Sequence, residues 1–195
     1  MIRIAIVGEI GSGKTIAAKI LKLPTFYADI EVAEIYQKDK RCYKKLKKRF
    51  PKFIKSFPIK KKEIVEAILN NRSNIRKISK IIHPIVRKRL KKFLSDNGKN
   101  KYVVLDIPLY FENNIYKKKD IVIFVQSNKK NIQKRIIKRK FFNIKLTKYF
   151  RSIQKKNIYK KKKSQFIIEN NSNKMDLRKK VNIIKNKILN ERNST

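Results

Sequence analysis

The sequence predicts an α/β protein built on a parallel sheet with helices on both faces. Two observations carry that expectation. Short apolar, β-branched runs at residues 2–7, 102–106 and 121–125 have the unbroken hydrophobicity of strands covered on both sides. Between them lie stretches whose apolar residues recur three and four apart, the spacing of amphipathic helices. Strands that alternate with helices imply crossover connections rather than hairpins.

In chain order, residues 2–7 form the first strand and end in a glycine-rich turn. Ile16, Ala17, Ile20 and Leu21 give a helix over residues 14–23, stopped by Pro24. A brief second strand at 25–27 leads into Ala28-Asp29 and a helix from Ile30. Residues 38–62 are Lys-rich and carry Pro51 and Pro58, which predicts broken helix and loop. Helices follow over 60–70 and 73–94, the second bent or restarted at Pro84. The strands at 102–106 and 121–125 come next, then a helix over 128–140 and a Lys-rich segment to 163. A fifth short strand at 166–168 and a closing helix from about Lys174 complete the pattern.

Charge is the most conspicuous feature of the composition. With 195 residues, 54 Lys+Arg and 14 Asp+Glu, the formal net charge is +40. Such a balance suggests a nucleic-acid partner, because basic side chains neutralise phosphates and release counterions. The distribution argues against it. Residues 1–37 carry four basic and four acidic side chains, and the excess is spread over the rest beside abundant Ile and Asn. A chain-wide compositional bias accounts for that, and no aromatic RNA-binding motif, zinc finger or heptad array accompanies it. One cysteine, Cys42, excludes an internal disulfide framework and a multi-thiolate zinc site, and one histidine, His83, excludes a His-rich metal centre. No apolar run is long enough to span a membrane and no leader pattern opens the chain. The expectation is a soluble cytoplasmic protein.

Residues 8–15 fit the phosphate-loop pattern G-x-x-x-x-G-K-[ST] at every defined position, between a strand and a helix as that motif requires. Three of the four glycines in the chain, Gly8, Gly11 and Gly13, fall inside it. Glycine lets backbone amides approach phosphate oxygens closely, and the helix N-terminus adds its dipole. Candidate nucleotide-binding residues are therefore Gly8, Gly11, Ser12, Gly13, Lys14, Thr15 and Ile16. Lys14 is assigned to the β and γ phosphates, and Thr15 to Mg²⁺ as the one metal-ligating residue. Asn173-Lys174-Met175-Asp176 spells the guanine-reading motif of GTPases, but Asp106-Ile107-Pro108-Leu109 lacks the glycine those enzymes carry after a strand. That segment is read as the start of the last helix. Asp29, beyond the second strand, has two readings on residues alone: a catalytic carboxylate, or the N-cap of the helix from Ile30.

Beyond the loop, the chain resembles the dephospho-CoA kinase family from residue 2 to about 172. Ala28-Asp29 resembles its Asp-Ala-Asp segment, and Ile82-His83-Pro84-Ile85-Val86 its His-Pro signature. Residues 106–113, Asp106 to Asn113, resemble its Pro-Leu-Leu-x-Glu-Asn segment. Arg139 and Gln154 keep its Arg-to-Gln spacing, and Ile168-Glu169-Asn170-Asn171 resembles its Ile-Asp-Asn-Asn ending. The departures are Glu9 for a second glycine, Tyr27 for an acid, Asn157 for an Arg, and Ser164-Gln165 for Ala-Asp.

The resemblance implies a three-layer P-loop NTPase fold with a five-stranded parallel sheet. One domain is expected: a core of about 1–37, 96–139 and 164–195, a helical substrate insertion over about 38–95, and a lid over about 140–163. It implies transfer of the ATP γ-phosphoryl group to the 3′-hydroxyl of dephospho-CoA, with Mg²⁺. The partners are then two small molecules bound by a monomer, not a membrane or a nucleic acid. Asp29 becomes general base and acceptor contact, His83 a second acceptor contact, and Lys14 and Arg139 the cations of the transfer. Arg135, one turn before Arg139, is either a helper or a solvated residue. Glu112 is either a site residue or a partner for a nearby Lys, and Asp106 can hold a metal-bound water. The alternatives are another nucleoside or nucleotide kinase, or an ATP-dependent RNA-binding protein.

Overall fold

The runs with the most continuous apolar character form the sheet. In the computed structural model, which describes residues 1–138 and 143–190, five strands lie in the order β2-β3-β1-β4-β5. They are β1 (Ile2–Gly8), β2 (Thr25–Tyr27), β3 (Tyr102–Asp106), β4 (Ile121–Gln126) and β5 (Phe166–Glu169). Each neighbouring pair is parallel, with Ile4 opposite Val104 on one side and Ile121 on the other. The expected parallel α/β sheet is thus observed, with β1 at its centre.

The chain divides into two units, Met1–Tyr27 with the residues from Asn97 onward, and Ala28–Asp96. In the first, Ile4, Ile6, Val104, Ile123 and Val125 point to one face of the sheet. There they meet Ala17, Ala18 and Leu21 of α1 (Lys14–Leu21) and Leu177, Val181, Ile184 and Ile188 of α9 (Lys174–Asn190). The alternate residues Ala5, Val103, Leu105, Val122 and Phe124 are equally buried on the other face. Burial on both faces explains why these strands read as continuous apolar runs rather than alternating ones. Helix α1 stops at Leu21, two residues earlier than Pro24 alone implies, because Lys22 takes a left-handed conformation (φ 53°) and returns its amide to Lys19.

One polar cluster ties β1 to the entry of β4. Arg3, on β1, donates through Nε to Asp120 Oδ1 at 2.7 Å and through Nη2 to the Tyr110 hydroxyl at 3.1 Å and the Ile115 carbonyl at 2.9 Å. Asp120 also accepts from the Tyr110 hydroxyl and from the Lys117 amide. Burial and the Asp120 carboxylate together push the Tyr110 phenol well above its ordinary pKa. A buried ion pair becomes costly once one member is removed, because the other keeps its charge without compensation.

The unit Ala28–Asp96 is helical: α2 (Ala28–Lys38), α3 (Lys40–Arg49), α4 (Lys61–Asn70) and α5 (Asn74–Asp96). It overlaps the insertion expected over about 38–95 and includes α2. The broken helix and loop expected over 38–62 are observed as α3 followed by a non-helical stretch over 50–60 that contains Pro51 and Pro58. Asp39 caps it by accepting from the Cys42 amide at 2.8 Å, and only Cys42 and Leu46 are buried, so a ten-residue helix hides behind its Lys content. Of the two readings at Pro84, bent or restarted, the restart is not observed; α5 runs through it as one helix. Proline forfeits one hydrogen bond, and the buried stripe of Ile75, Ile78, Ile82 and Leu90 holds the turns on either side to the same core. The loop before α4 is gathered by Glu63. Burial alone would raise its pKa, but amides of Lys55, Lys60 and Ser56 and the Ser56 hydroxyl donate to it, and these bonds hold the carboxyl below its usual value.

The rest of the first unit contains α6 (Lys129–Ile137), α7 (Ile144–Ser152) and α8 (Asn157–Lys162). Helix α6 ends at Ile137 with Lys138 as its cap, short of the expected residue 140. Asn173 caps α9 by accepting from the Asp176 amide at 2.9 Å, so the GTPase-like tetrapeptide is a helix start, as expected. No described helix is long and apolar enough to cross a membrane.

Asp120→Asn is expected to lower the unfolding free energy by about 3 to 5 kcal/mol, read from urea unfolding at neutral pH. Tyr110→Phe, which removes one hydroxyl, is expected to lower it by about 1 to 2 kcal/mol.

Candidate active site

The glycine loop leaves the carboxyl end of β1, where Gly8 pairs with Val125 of β4. Gly13 enters α1 with φ 103°, a left-handed conformation that costs a side-chain-bearing residue free energy. A Cβ there would also stand 2.2 Å from Asn170 Nδ2. That amide donates to the Ser12 carbonyl at 2.8 Å. Arg135 on α6 reaches the same carbonyl at 3.4 Å and donates to the Asn170 carbonyl at 3.0 Å and the Ser127 hydroxyl at 3.2 Å. The ends of β4 and β5 therefore clamp the loop from behind. Arg135 is thereby a loop-holding residue rather than a solvated one, and neither it nor Asn170 stands out by residue type in so basic and Asn-rich a chain.

Ser12 is fully buried, and among the described residues its hydroxyl oxygen has no hydrogen-bond partner. A buried hydroxyl without a partner is costly. Lys14 Nζ donates to the Gly8 and Glu9 carbonyls at 3.1 and 3.0 Å, so its ammonium lies back over the loop. The Ile16 amide returns to the Gly13 carbonyl at 3.1 Å while its side chain is exposed. Thr15 donates from Oγ1 to Asp106 Oδ2 at 2.6 Å, joining the start of α1 to the end of β3. The register then sets Tyr27, the last residue of β2, beside Asp106. Asp29 stands within the first turn of α2, because the helix starts at Ala28. That corrects the N-cap reading, which required a helix from Ile30.

Glu112 follows β3 and accepts from the Lys155 amide at 2.6 Å, with Lys160 Nζ at 3.8 Å. This is the local Lys pairing that its alternative reading anticipated. Glu9 pairs with Arg151 of α7 at 3.0 Å. The other departures have structural employment. Gln165 brackets Val122 through its amide and its side-chain oxygen, prolonging the β4–β5 edge, and the Ser164 hydroxyl donates to the Lys160 carbonyl. Asn157 opens α8. His83 sits half-buried in α5; burial and the nearby Arg87 charge push its pKa below the ordinary value. Arg139 lies outside the described residues.

A strand, glycine loop and helix carrying Lys14 and Thr15, set on a parallel sheet with an acid at the neighbouring strand end, define a P-loop kinase. Residues 2–176 match the dephospho-CoA kinase family. The chain belongs to that family. It is 32% identical over 182 residues to the dephospho-CoA kinase of Fusobacterium nucleatum, spanning 91% of this chain and 94% of that protein. With the dephospho-CoA kinase of Rickettsia conorii it shares 30% over 184 residues, 93% and 94% of the two chains. Among solved structures, TT1252 from Thermus thermophilus superposes with a TM-score of 0.77 at 22% identity over 98% and 97% of the two chains. The dephospho-CoA kinase from Campylobacter jejuni gives 0.66 at 24% identity, over 95% and 96%. These two superpositions speak for the fold.

Gly13→Ala is expected to lower stability by about 1 to 3 kcal/mol through backbone strain alone, with the Asn170 clash added. In an Asn170→Ala background the added part disappears while the strain stays, so a double-mutant cycle by urea unfolding returns a non-zero coupling. For His83, the folded pKa lies below the unfolded one. Its contribution is therefore complete above about pH 6.5 and is lost as pH falls below that value. His83→Gln should flatten that part of the stability profile, measured by unfolding at pH 7.5 and 5.5.

Proposed function

We propose that this chain is the cytoplasmic enzyme that transfers the γ-phosphoryl group of ATP to the 3′-hydroxyl of dephospho-CoA, giving coenzyme A and ADP. The observation that carries the reading is the phosphate loop of a family member with Thr15 held on Asp106 at 2.6 Å. Phosphoryl transfer asks a protein mainly for positioning and charge neutralisation. The loop from Gly8 to Gly13, with Ser12 and the first turn of α1 to Ile16, holds the phosphates. Lys14 exchanges the Gly8 and Glu9 carbonyls for β and γ oxygens, a charge-assisted contact stronger than the neutral one it leaves.

The acceptor hydroxyl gives its proton to the Asp29 carboxylate as its oxygen bonds to the γ phosphorus. The bond from that phosphorus to the β–γ bridging oxygen breaks, and ADP leaves. Asp29 is suited to this by its place in the chain, two residues beyond β2, since ligands of such sheets bind at the carboxyl ends of strands. His83 contacts the acceptor as a neutral imidazole, one nitrogen donating and the other accepting. The helices over about 38–95 receive the rest of the acceptor. The segment over about 140–163 closes as a lid, and Arg139 meets transition-state charge.

Mg²⁺ fits the donor set. Among the described residues no group of three or more His, Cys, Asp and Glu side chains could hold a metal. Magnesium bound with nucleotide does not need one, because it takes one or two protein oxygens beside phosphates and water. Thr15 Oγ1 and Asp106 Oδ2 supply hard oxygens, and the bound ion would neutralise charge on the β and γ phosphates. The chain works on these small molecules as a monomer.

The test is coupled ADP release with ATP, Mg²⁺ and dephospho-CoA, run beside CMP, UMP and AMP as acceptors. Dephospho-CoA should be preferred. Asp29→Asn should cut kcat by about a hundredfold or more with little change in the KM for ATP. Wild-type turnover no higher than that of Asp29→Asn overturns the reading.

A further inference from the structure

Among the basic residues that the structure describes, one is placed unlike the others. Among the described residues, Lys160 on α8 is the one basic residue that is buried, with 3% of its surface exposed. An ammonium has three protons to donate and no acceptor capacity. Among the described residues, the carboxylate nearest its Nζ is Glu112, a long ion pair at 3.8 Å. Burial drives its pKa below the ordinary lysine value, offset in part by Glu112 and Glu9. A largely buried cation held by one long carboxylate contact keeps donor capacity for a second anion.

The position of Lys160 indicates which anion. It lines a narrow cleft together with Val7, Gly8, Lys14, Glu112 and Gln154. That cleft opens at the carboxyl end of β1, beside the lysine of the phosphate loop. Two further contacts hold the Lys160 segment there: Arg151 on Glu9 of the loop, and the Lys155 amide on Glu112. Phe111 stacks edge-to-face on Tyr159, the neighbour of Lys160, with ring centroids 5.5 Å apart.

We propose that Lys160 is a second catalytic lysine, contacting the terminal phosphoryl group of the bound nucleoside triphosphate opposite Lys14, with Glu112 as its positioning residue. The proposal rests on the kinase reading above. A cation there stabilises the charge on the transferring group and has nothing to hold once that group has gone. Its signature is therefore discrimination between triphosphate and diphosphate, which a purely structural lysine does not provide.

The experiment measures binding of a non-hydrolysable ATP analogue and of ADP, each with Mg²⁺, by calorimetry. Wild type is compared with Lys160→Met, Lys160→Arg and the exposed-neighbour control Lys161→Met. Lys160→Met should weaken the analogue about tenfold while leaving ADP within about twofold, and should cut kcat by about a hundredfold. Lys160→Arg should restore most of the discrimination, and Lys161→Met should match wild type. Equal weakening of both nucleotides, or none, overturns the proposal. If Lys160→Met does not fold, the wild-type lysine is followed by NMR of its Nζ: a shift with the analogue and not with ADP supports the contact, and the same response to both removes it. Wild type binding neither nucleotide would instead sink the kinase reading.

Discussion

The Ser12 carbonyl is the point on which the phosphate loop depends. It receives the Asn170 amide at 2.8 Å and the Arg135 guanidinium at 3.4 Å. One residue comes from beyond β5 and the other from α6, so the loop is held by two separate parts of the sheet unit. The clamp also explains the glycine that follows, since Asn170 occupies the space a Cβ on residue 13 would need. A loop held from behind keeps its front preorganised, and preorganised donors are worth more than mobile ones because nothing reorganises when charge develops.

The polar interior extends outward from that clamp as a short series of pairs. Thr15 and Asp106 join α1 to β3, and Arg3, Asp120 and Tyr110 join β1 to the approach of β4. Each contact joins elements that are adjacent in space but distant in the chain. The burial of Arg3, Asp120 and Tyr110 makes that cluster sensitive to deletion, whereas surface pairs such as Lys62 with Glu66 contribute little. The +40 charge has the same division. Most of it is solvated and unspecific, while Lys14, Arg3, Arg135 and Lys160 owe their importance to what surrounds them.

Legibility in the sequence followed the range of the interactions. The strands β1, β3 and β4 were readable because burial on both faces leaves an unbroken apolar run. The loop was readable because its glycines, Lys14 and Thr15 are contiguous. Helix α3 was readable only as broken helix without bounds, because a helix with only Cys42 and Leu46 buried among lysines has no apolar stripe of ordinary width. At Pro84 the sequence left a bend and a restart both open, and the single helix α5 follows from the buried stripe on both sides of it. Asn170 was legible only as part of a family-like ending, and its hold on Ser12, 158 positions away, has no trace in local pattern.

By itself, then, the sequence determined the parallel α/β class, the phosphate loop and the family, since these reside in contiguous residues and short periodicities. Only the tertiary structure decided which cations matter, that Asp106 holds Thr15, that Glu112 is paired, and that Lys160 is buried beside Lys14. Those properties depend on burial and on partners brought from remote segments. Two adjacent lysines of one basic run, Lys160 and Lys161, acquire different chemistry only when one is turned into the protein and the other into water.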